Sequence, residues 1–516
     1  MEEEKIDKKK SWFNNAIIFF VFAIIIVFVL SILGSLLNWE GTYLVNNAIN
    51  GNLESKLVSV ESLFSREGIR YIVGNVVSNF INFKPLAMFL FIMIGIGFAE
   101  KTGLFSYLFQ SWTKKINKFW LTFIVVLLSI LSNLIGEVAF TLIIPISAIL
   151  FLANNRNPIV AIFASFIGIT TGTGINFITS QISYDAINNI LIGAKIIDPT
   201  YVFNINSGLF FGIAGSIALA FLITFITEKF TSKRLSKYKI EEVLEDDDIP
   251  KKKKKKAMLL CMLVSIALSS FFIYMLIPTG APLSGLLLDY QEKDTLSRIF
   301  SSNSYVAEGL SFIILSMLLL CGWIYGSITG TLKNQKSIPN YLFSSLNNLS
   351  GVLILLFFAS QLIALFQKSN IGTVFTIWIA NFIESLNVSS LPLILIFFLL
   401  MVIVNIIEPS SITKLAILGP IVTPKFMKSN VSPEFMNVVY KLSETASDII
   451  TPLFPYFIVF LGVILIYTKK NETIKIKEIY KLLFPYFALI TIFWLIFILC
   501  WFIINVPIGV GVYPSL

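Results

Sequence analysis

The feature that most constrains this chain is a series of apolar runs, each about the length of a bilayer crossing, with the charged residues gathered between them. A hydrocarbon core about 30 Å thick takes roughly 20 apolar residues of helix to span. Runs of that order are Trp12–Leu37, Phe83–Gln110, Phe119–Leu152, Pro158–Ile190, Ser207–Phe230, Ala257–Ile277, Val306–Thr331, Tyr341–Phe366, Leu391–Met427, Phe435–Tyr467 and Leu482–Val506. Backbone in lipid must satisfy its own hydrogen bonds, so these runs are helical and the fold class is an all-α polytopic membrane protein. The net charge of +9 comes largely from lysines in short loops between the runs, so a membrane rather than a nucleic acid accounts for it. The basic leader Met1–Lys10 precedes a run too long for a signal-peptide core, and it is expected to lead into a retained first span.

Two runs do not fit as single crossings. Phe119–Leu152 is interrupted by Ser132-Asn133 and Gly136-Glu137, and Leu391–Met427 by Asn405 and Glu408-Pro409-Ser410-Ser411. Both read as re-entrant helical hairpins with polar tips. Nine transmembrane helices then remain, and the alternation gathers Lys5–Lys10, Lys114–Lys118, Arg156, Lys229–Lys256, Lys333–Lys336 and Lys469–Lys481 on one side. Cytoplasmic loops hold the Lys/Arg excess, so the N-terminus is expected inside and the C-terminus outside.

The chain divides into an N-terminal half, 1–230, a charged cytoplasmic linker, 231–256, and a C-terminal half, 257–516. The linker carries Glu245–Asp248 and then Lys251–Lys256, read as a flexible topology anchor that also attracts anionic lipid headgroups. Each half holds a hairpin, 119–152 or 391–427, followed by a span, 158–190 or 435–467, with a polar interruption. Thr170–Asn176 and Ser443–Pro452 are expected to be the non-helical breaks. Hairpins entering from opposite sides make the halves an inverted repeat, the plan of a secondary transporter. Two amphipathic helices are expected outside the spans. One covers Ile69–Phe80, and the other, Ile371–Leu386, carries Ile371, Val374, Phe375, Trp378, Phe382 and Leu386 on one face.

The stretch Val439–Tyr456 holds Lys441, Glu444 and Asp448 inside an otherwise apolar run. A charge at membrane depth costs a few kcal/mol and marks a protein interior or a transport pathway. Together with the hairpin tips and the first break, the sequence supplies Asn133, Glu137, Thr171, Thr173, Asn176, Asn405, Glu408, Ser410, Ser411, Lys441, Glu444, Asp448 and Thr451. Hard oxygen donors of this kind suit sodium, and helix N-termini at breaks suit a carboxylate. Glu137 and Glu408, at the hairpin tips, are proton or gating candidates. Histidine is absent, which excludes a His-ligated metal and a His proton relay, and Cys261, Cys321 and Cys500 sit in apolar runs without zinc spacing. No cofactor other than a possible Na⁺ is indicated. An intramembrane enzyme or a passive anion channel is the alternative, but two related halves are what alternating access requires and catalysis does not. The chain is read as a carrier and not an enzyme.

These residues, with E-S-L-F-S-R-E-G-I-R at Glu61–Arg70, G-I-G-F-A-E-K-T-G-L-F-S at Gly95–Ser106, L-S-N-L-I-G-E-V at Leu131–Val138 and I-I-T-P-L-F-P-Y at Ile449–Tyr456, resemble the AbgT family of p-aminobenzoyl-glutamate transporters. The resemblance implies a homodimer in the bacterial cytoplasmic membrane, sodium or proton coupling, and small organic anion substrates such as p-aminobenzoyl-glutamate or exported sulfonamides. It places the family's cation-site asparagine on Asn405, its Arg-x-x-Asp on Lys441–Glu444 and its following proline on Pro452. On that basis Asn405, Glu444 and Asp448 are expected to hold the cation. Lys441, Ser410, Ser411, Thr171, Thr173, Asn176 and Pro452 are expected to face the substrate, with Lys441 able to pair with Glu444 at i+3. The family's aspartate after the first break falls on Ser183, near Asp185, and its Ser-Ala-Lys-Trp reads Ile412-Thr413-Lys414-Leu415. Lysine lacks arginine's bidentate grip on a carboxylate, which leaves room for a different small organic anion.

Overall fold

The computed structural model describes residues 15–46, 53–113, 116–175, 181–204, 207–236, 249–292, 295–301, 304–333, 337–346, 349–468 and 475–516. The N-terminal part runs α1 (Ala16–Leu36), a two-stranded antiparallel hairpin β1 (Glu40–Asn46) and β2 (Leu53–Ser59), α2 (Arg66–Ile81), α3 (Lys84–Lys101), α4 (Leu104–Thr113), α5 (Lys118–Leu131), α6 (Val138–Ala153), α7 (Pro158–Gly172), α8 (Gln181–Ile197), α9 (Leu209–Ile226) and the short α10 (Ser232–Leu235). The rest runs α11 (Lys251–Tyr274), α12 (Thr295–Phe300), α13 (Val306–Thr329), α14 (Ser337–Leu346), α15 (Ser350–Lys368), α16 (Ile371–Ser385), α17 (Ser390–Ile407), α18 (Ser411–Lys428), α19 (Pro433–Asp448), α20 (Phe457–Tyr467) and α21 (Ile476–Ile504).

Among the described residues, nine helical stretches are long and apolar enough to cross a membrane, but they are not the nine crossings counted from sequence. Seven coincide with expected crossings, and two, Lys118–Ile135 and Ser390–Ile407, are the first legs of the hairpins. The crossings at 158–190 and 435–467 are instead made of the shorter helices α7 with α8 and α19 with α20.

Side-chain contacts show how the hairpin legs run. Arg156, just past α6, donates to Lys118 O at 2.9 Å and Thr122 Oγ1 at 2.8 Å in the first turn and a half of α5, so α6 ends beside the start of α5. Its guanidinium also pairs with Glu228 at 2.5 Å, which fixes the hairpin base to the end of α9. In the second hairpin Lys414 meets Asn405 near the tip, while Phe426 packs on Phe397 with ring centroids 4.9 Å apart further down, so these legs are antiparallel. The two parts of the chain lock together where α8 crosses α18: a Cβ on Gly193 would lie 2.0 Å from Gly419 O, and one on Gly419 2.2 Å from Asn189 O. Small residues let helix backbones approach this closely.

Several expectations are corrected. Thr170 and Thr171 are helical, because the Thr171 hydroxyl back-bonds to Ile167 O at 2.7 Å and leaves the helical ladder intact. The stretch Ser443–Asp448 is helical as well. Proline lacks an N–H and its ring strikes the carbonyl four residues back, so Pro452 ends α19 at Asp448 and the break occupies residues 449–456. Lys251–Lys256 is the start of α11 rather than a flexible segment, since Pro250 supplies the N-cap and lysine is a good helix former. The run 83–110 is two helices, divided at Thr102-Gly103, where Gly103 has φ 85°. The run 341–366 is likewise divided between α14 and α15. In the first loop the expected helix is α2, but β1 and β2 precede it, a pairing that apolar periodicity does not signal. On α16 the buried face is Ile371, Val374, Ile377, Ala380 and Ile383, with Trp378 and Phe382 turned outward.

Candidate functional site

α19 lies against the first break and the tip of the second hairpin. Its N-cap Ser432 accepts from Phe435 N at 3.3 Å, and Pro433 follows at the first helical position, where a missing N–H costs nothing. At its far end the Pro452 break reaches both hairpins. Thr451 Oγ1 donates to Ile406 O at 2.7 Å beside the tip of the second, and Tyr456 stacks on Phe140 at 4.7 Å just past the tip of the first. The first break packs on the same helix. A Cβ on Gly174 would stand 2.6 Å from Thr445 Cγ2 and 3.0 Å from Lys441 O, so glycine is what allows the approach. Gly172 is held in the same way against Ile130 O of α5, at 2.4 Å.

At the centre lies a buried ionic cluster. Lys414, in the first turn of α18 and fully buried, donates to Asn405 Oδ1 at 2.5 Å and to Glu444 Oε1 at 2.8 Å. Glu444 Oε1 also accepts from the Ser411 hydroxyl and from Tyr440 OH at 3.1 Å. The Lys414 ammonium stands 5.6 Å from the Tyr440 ring centroid, and Asn405 Nδ2 donates to Ser443 Oγ at 3.2 Å. A desolvated ammonium between an amide oxygen, a carboxylate and an aromatic face is well compensated. Asp448, one turn beyond Glu444, is 6% exposed, and its Oδ1 has no hydrogen-bond partner among the described residues.

The sequence-based candidates separate accordingly. Asn405, Ser411 and Glu444 meet in one cluster, and Asp448 follows Glu444 along the same helix. The ammonium at 2.8 Å from Glu444 belongs to Lys414, a residue that sequence reasoning did not select, where Lys441 was expected. Lys441 is buried on α19 beside the first break. Ser410 caps α18, accepting from Thr413 N at 3.4 Å. The hydroxyls of Thr171 and Thr173 are bonded to the carbonyls of their own helix, whereas Thr170 Oγ1 is buried without a partner among the described residues. Asn176 lies outside the described residues. Asn133 is in a single turn of 3₁₀ helix, Ser132–Ile135, at the first hairpin tip. Pro452 lines an apolar crevice of about 1760 Å³ with Ile406, Ile407 and Leu453, whose lining includes none of the ionic cluster's residues. Glu408 is 3% exposed and not in open vestibule water; it accepts from Ser410 N at 3.0 Å, and its Oε2 would touch a Cβ on Gly372 of α16. Glu137 is half-exposed, 3.9 Å from Lys84.

The missed residue had a readable signal. Lys414 is a lone cation within Ile412–Thr423, and an unexplained charge inside a span is the same cue that singled out Lys441. Asn405 Oδ1 and Glu444 Oε1 are hard oxygens that converge on one positive centre, the Lys414 ammonium.

Comparison with known proteins gives concordant results. Residues 4–516 match the model of the AbgT putative transporter family. The p-aminobenzoyl-glutamate transport protein of Escherichia coli strain K12 is 24% identical over 466 residues, covering 89% of this chain and 88% of that one. Among solved structures, the Alcanivorax borkumensis YdaH transporter is 26% identical with a TM-score of 0.48 over 96% of this chain and 99% of its own. Neisseria gonorrhoeae MtrF, described within a class of antimetabolite efflux pumps, is 26% identical with a TM-score of 0.48 over 97% and 98%. With the family model matched from end to end, this polytopic membrane protein belongs to the AbgT putative transporter family and is a transporter, not an enzyme.

Proposed function

We propose that this transporter moves a small organic anion by cation-coupled alternating access, with the substrate bound between the two helix breaks and the hairpin tips. The observation that carries the reading is the formal charge balance of the buried cluster. Lys414 and Lys441 stand against Glu408, Glu444 and Asp448, all of them buried or nearly so, a formal surplus of one negative charge. An anion arriving alone would add to a buried charge already uncompensated, which costs several kcal/mol; a cation arriving with it offsets that cost. The same arithmetic favours coupled movement over passive conduction.

The two hairpins are re-entrant in this reading, and the two halves are inverted with respect to each other. The return of Arg156 to Lys118 supports the first point for the N-terminal hairpin, and the stacking of Phe426 on Phe397 supports it for the other. In this reading the protein works as a homodimer, and Asn405, Glu444 and Asp448 hold sodium or share a proton while Lys441 and Ser410 to Ser411 face the anion. p-Aminobenzoyl-glutamate, the substrate in the name of the Escherichia coli relative, is the first compound to test.

The test is uptake into liposomes containing the full chain, with a panel of aromatic and aliphatic carboxylates and sulfonamides under imposed sodium or proton gradients. At least one compound should accumulate above its external concentration only while a gradient stands. Equal flux with and without every gradient would identify a passive channel instead.

A further inference from the structure

We infer that Lys414 is a tethered cation that holds the Asn405–Glu444 position when the driving ion is elsewhere, and that cation and substrate together exchange it off Glu444. The inference rests on the reading of cation coupling above and adds the group that performs it.

The ammonium makes the contacts a small monovalent ion would make. Its nitrogen is 2.5 Å from Asn405 Oδ1 and 2.8 Å from Glu444 Oε1, with the Tyr440 ring on a further side. One carboxylate oxygen that already accepts from Lys414, Ser411 and Tyr440 has little capacity for a further cation. Lysine and ion therefore compete for the same oxygens. The foothold for the arriving ion is Asp448, four residues on and hence on the same face of α19 as Glu444, with a buried oxygen that no described residue satisfies. From there the ion can share Glu444 and loosen the lysine.

Lys414 is built to leave. A four-carbon stem with a compact ammonium can swing without moving its backbone, whereas an arginine fork would be held at two points. The residue also sits four positions after the second hairpin's last extended residue, Ser410, Glu408-Pro409-Ser410 being the turn, so its release and the tip's movement involve the same segment. Once off Glu444, the ammonium and the Ser411 hydroxyl are available to the substrate's anionic group. Ion and anion are then coupled through one ion pair, without a pathway through the rest of the fold.

If the oxygens are clear of the lysine in about one molecule in ten, the apparent cation affinity is about tenfold weaker than the intrinsic one. The test measures thermal unfolding of the purified full-length protein in sodium chloride against choline chloride, for wild type, Lys414→Gln, Lys414→Met and Lys414→Arg. Removal of the lysine should lower the sodium concentration for half-maximal stabilisation about tenfold, and should abolish the further lowering that a carboxylate or sulfonamide accumulated in the liposome assay produces in wild type. Lys414→Arg should raise that concentration. Wild type that responds to sodium with Lys414→Gln and Lys414→Met unchanged would overturn the tether and leave cation coupling standing. Wild type and variants alike indifferent to sodium would overturn both. If the single variants do not fold, Lys414→Met with Glu444→Gln keeps the cluster's net charge unchanged. That pair should retain sodium binding at Asp448 weakly and without substrate dependence; a wild-type response from it would overturn the exchange.

Discussion

Glu444→Ala should cost the folded protein about 3–5 kcal/mol, the usual penalty for leaving one member of a buried ion pair alone. Lys414 is fully buried, and Glu444 Oε1 receives its ammonium at 2.8 Å together with the Ser411 and Tyr440 hydroxyls, so the truncation strands a charge and two donors at once. Adding Lys414→Met removes the stranded charge with a side chain of similar length, and most of the loss should return. The measurement is the thermal midpoint in one detergent for wild type, both single variants and the double. The double should unfold above Glu444→Ala alone. Additive losses would mean that the two side chains do not act as a pair.

The second large effect is steric. Gly193→Val or Gly419→Val should abolish accumulation of folded protein, because each added Cβ would stand within 2.2 Å of a backbone carbonyl oxygen on the facing helix. No rotamer relieves an overlap with backbone, so α8 and α18 must separate, and overpacking of this kind costs about 1–3 kcal/mol or more. Their seam also joins the helix after the first break to the second leg of the C-terminal hairpin, so its loss uncouples elements that the proposed cycle moves together. Gly74→Val is the control, since a Cβ there meets nothing within 4 Å. Size-exclusion profiles of detergent extracts should show wild-type yield for Gly74→Val and little or none for the other two. A normal monodisperse peak from Gly193→Val would refute the close approach.

The spans were legible because the bilayer imposes its thickness on every crossing, and an apolar run of that length has few other fates. The existence of the breaks was legible too, but their position was misjudged by about a turn. Proline acts on the carbonyl four residues before it, so Pro452 leaves Ser443–Asp448 helical and frees the segment that follows. The first break was expected to begin at Thr170, whereas the Thr171 hydroxyl bonds back to its own helix and α7 runs on to Gly172. Within the site, Asn405 and Glu444 were visible as polar residues with no reason to face lipid. Their partner Lys414 carried the same signal, but its pairing was not legible, because Lys441 lay closer in sequence and the pair that forms joins residues 30 apart, across a hairpin whose legs only the fold brings beside α19. Strand pairing in β1 and β2 was missed because no alternation of apolar and polar residues there marks a buried face.

In the proposed cycle Glu444 is the group through which a cation is coupled to the anion. The decisive measurement compares wild type with Glu444→Gln in liposomes, following substrate uptake as the external sodium concentration or pH is stepped. The amide keeps the size and the oxygen that Lys414 contacts but removes the charge. Wild-type uptake should rise steeply with the driving cation, while Glu444→Gln should be folded, slow and nearly flat across the same range. A Glu444→Gln protein whose uptake follows the cation as wild type does would contradict the account and move the coupling site to Asp448, Glu408 or Glu137.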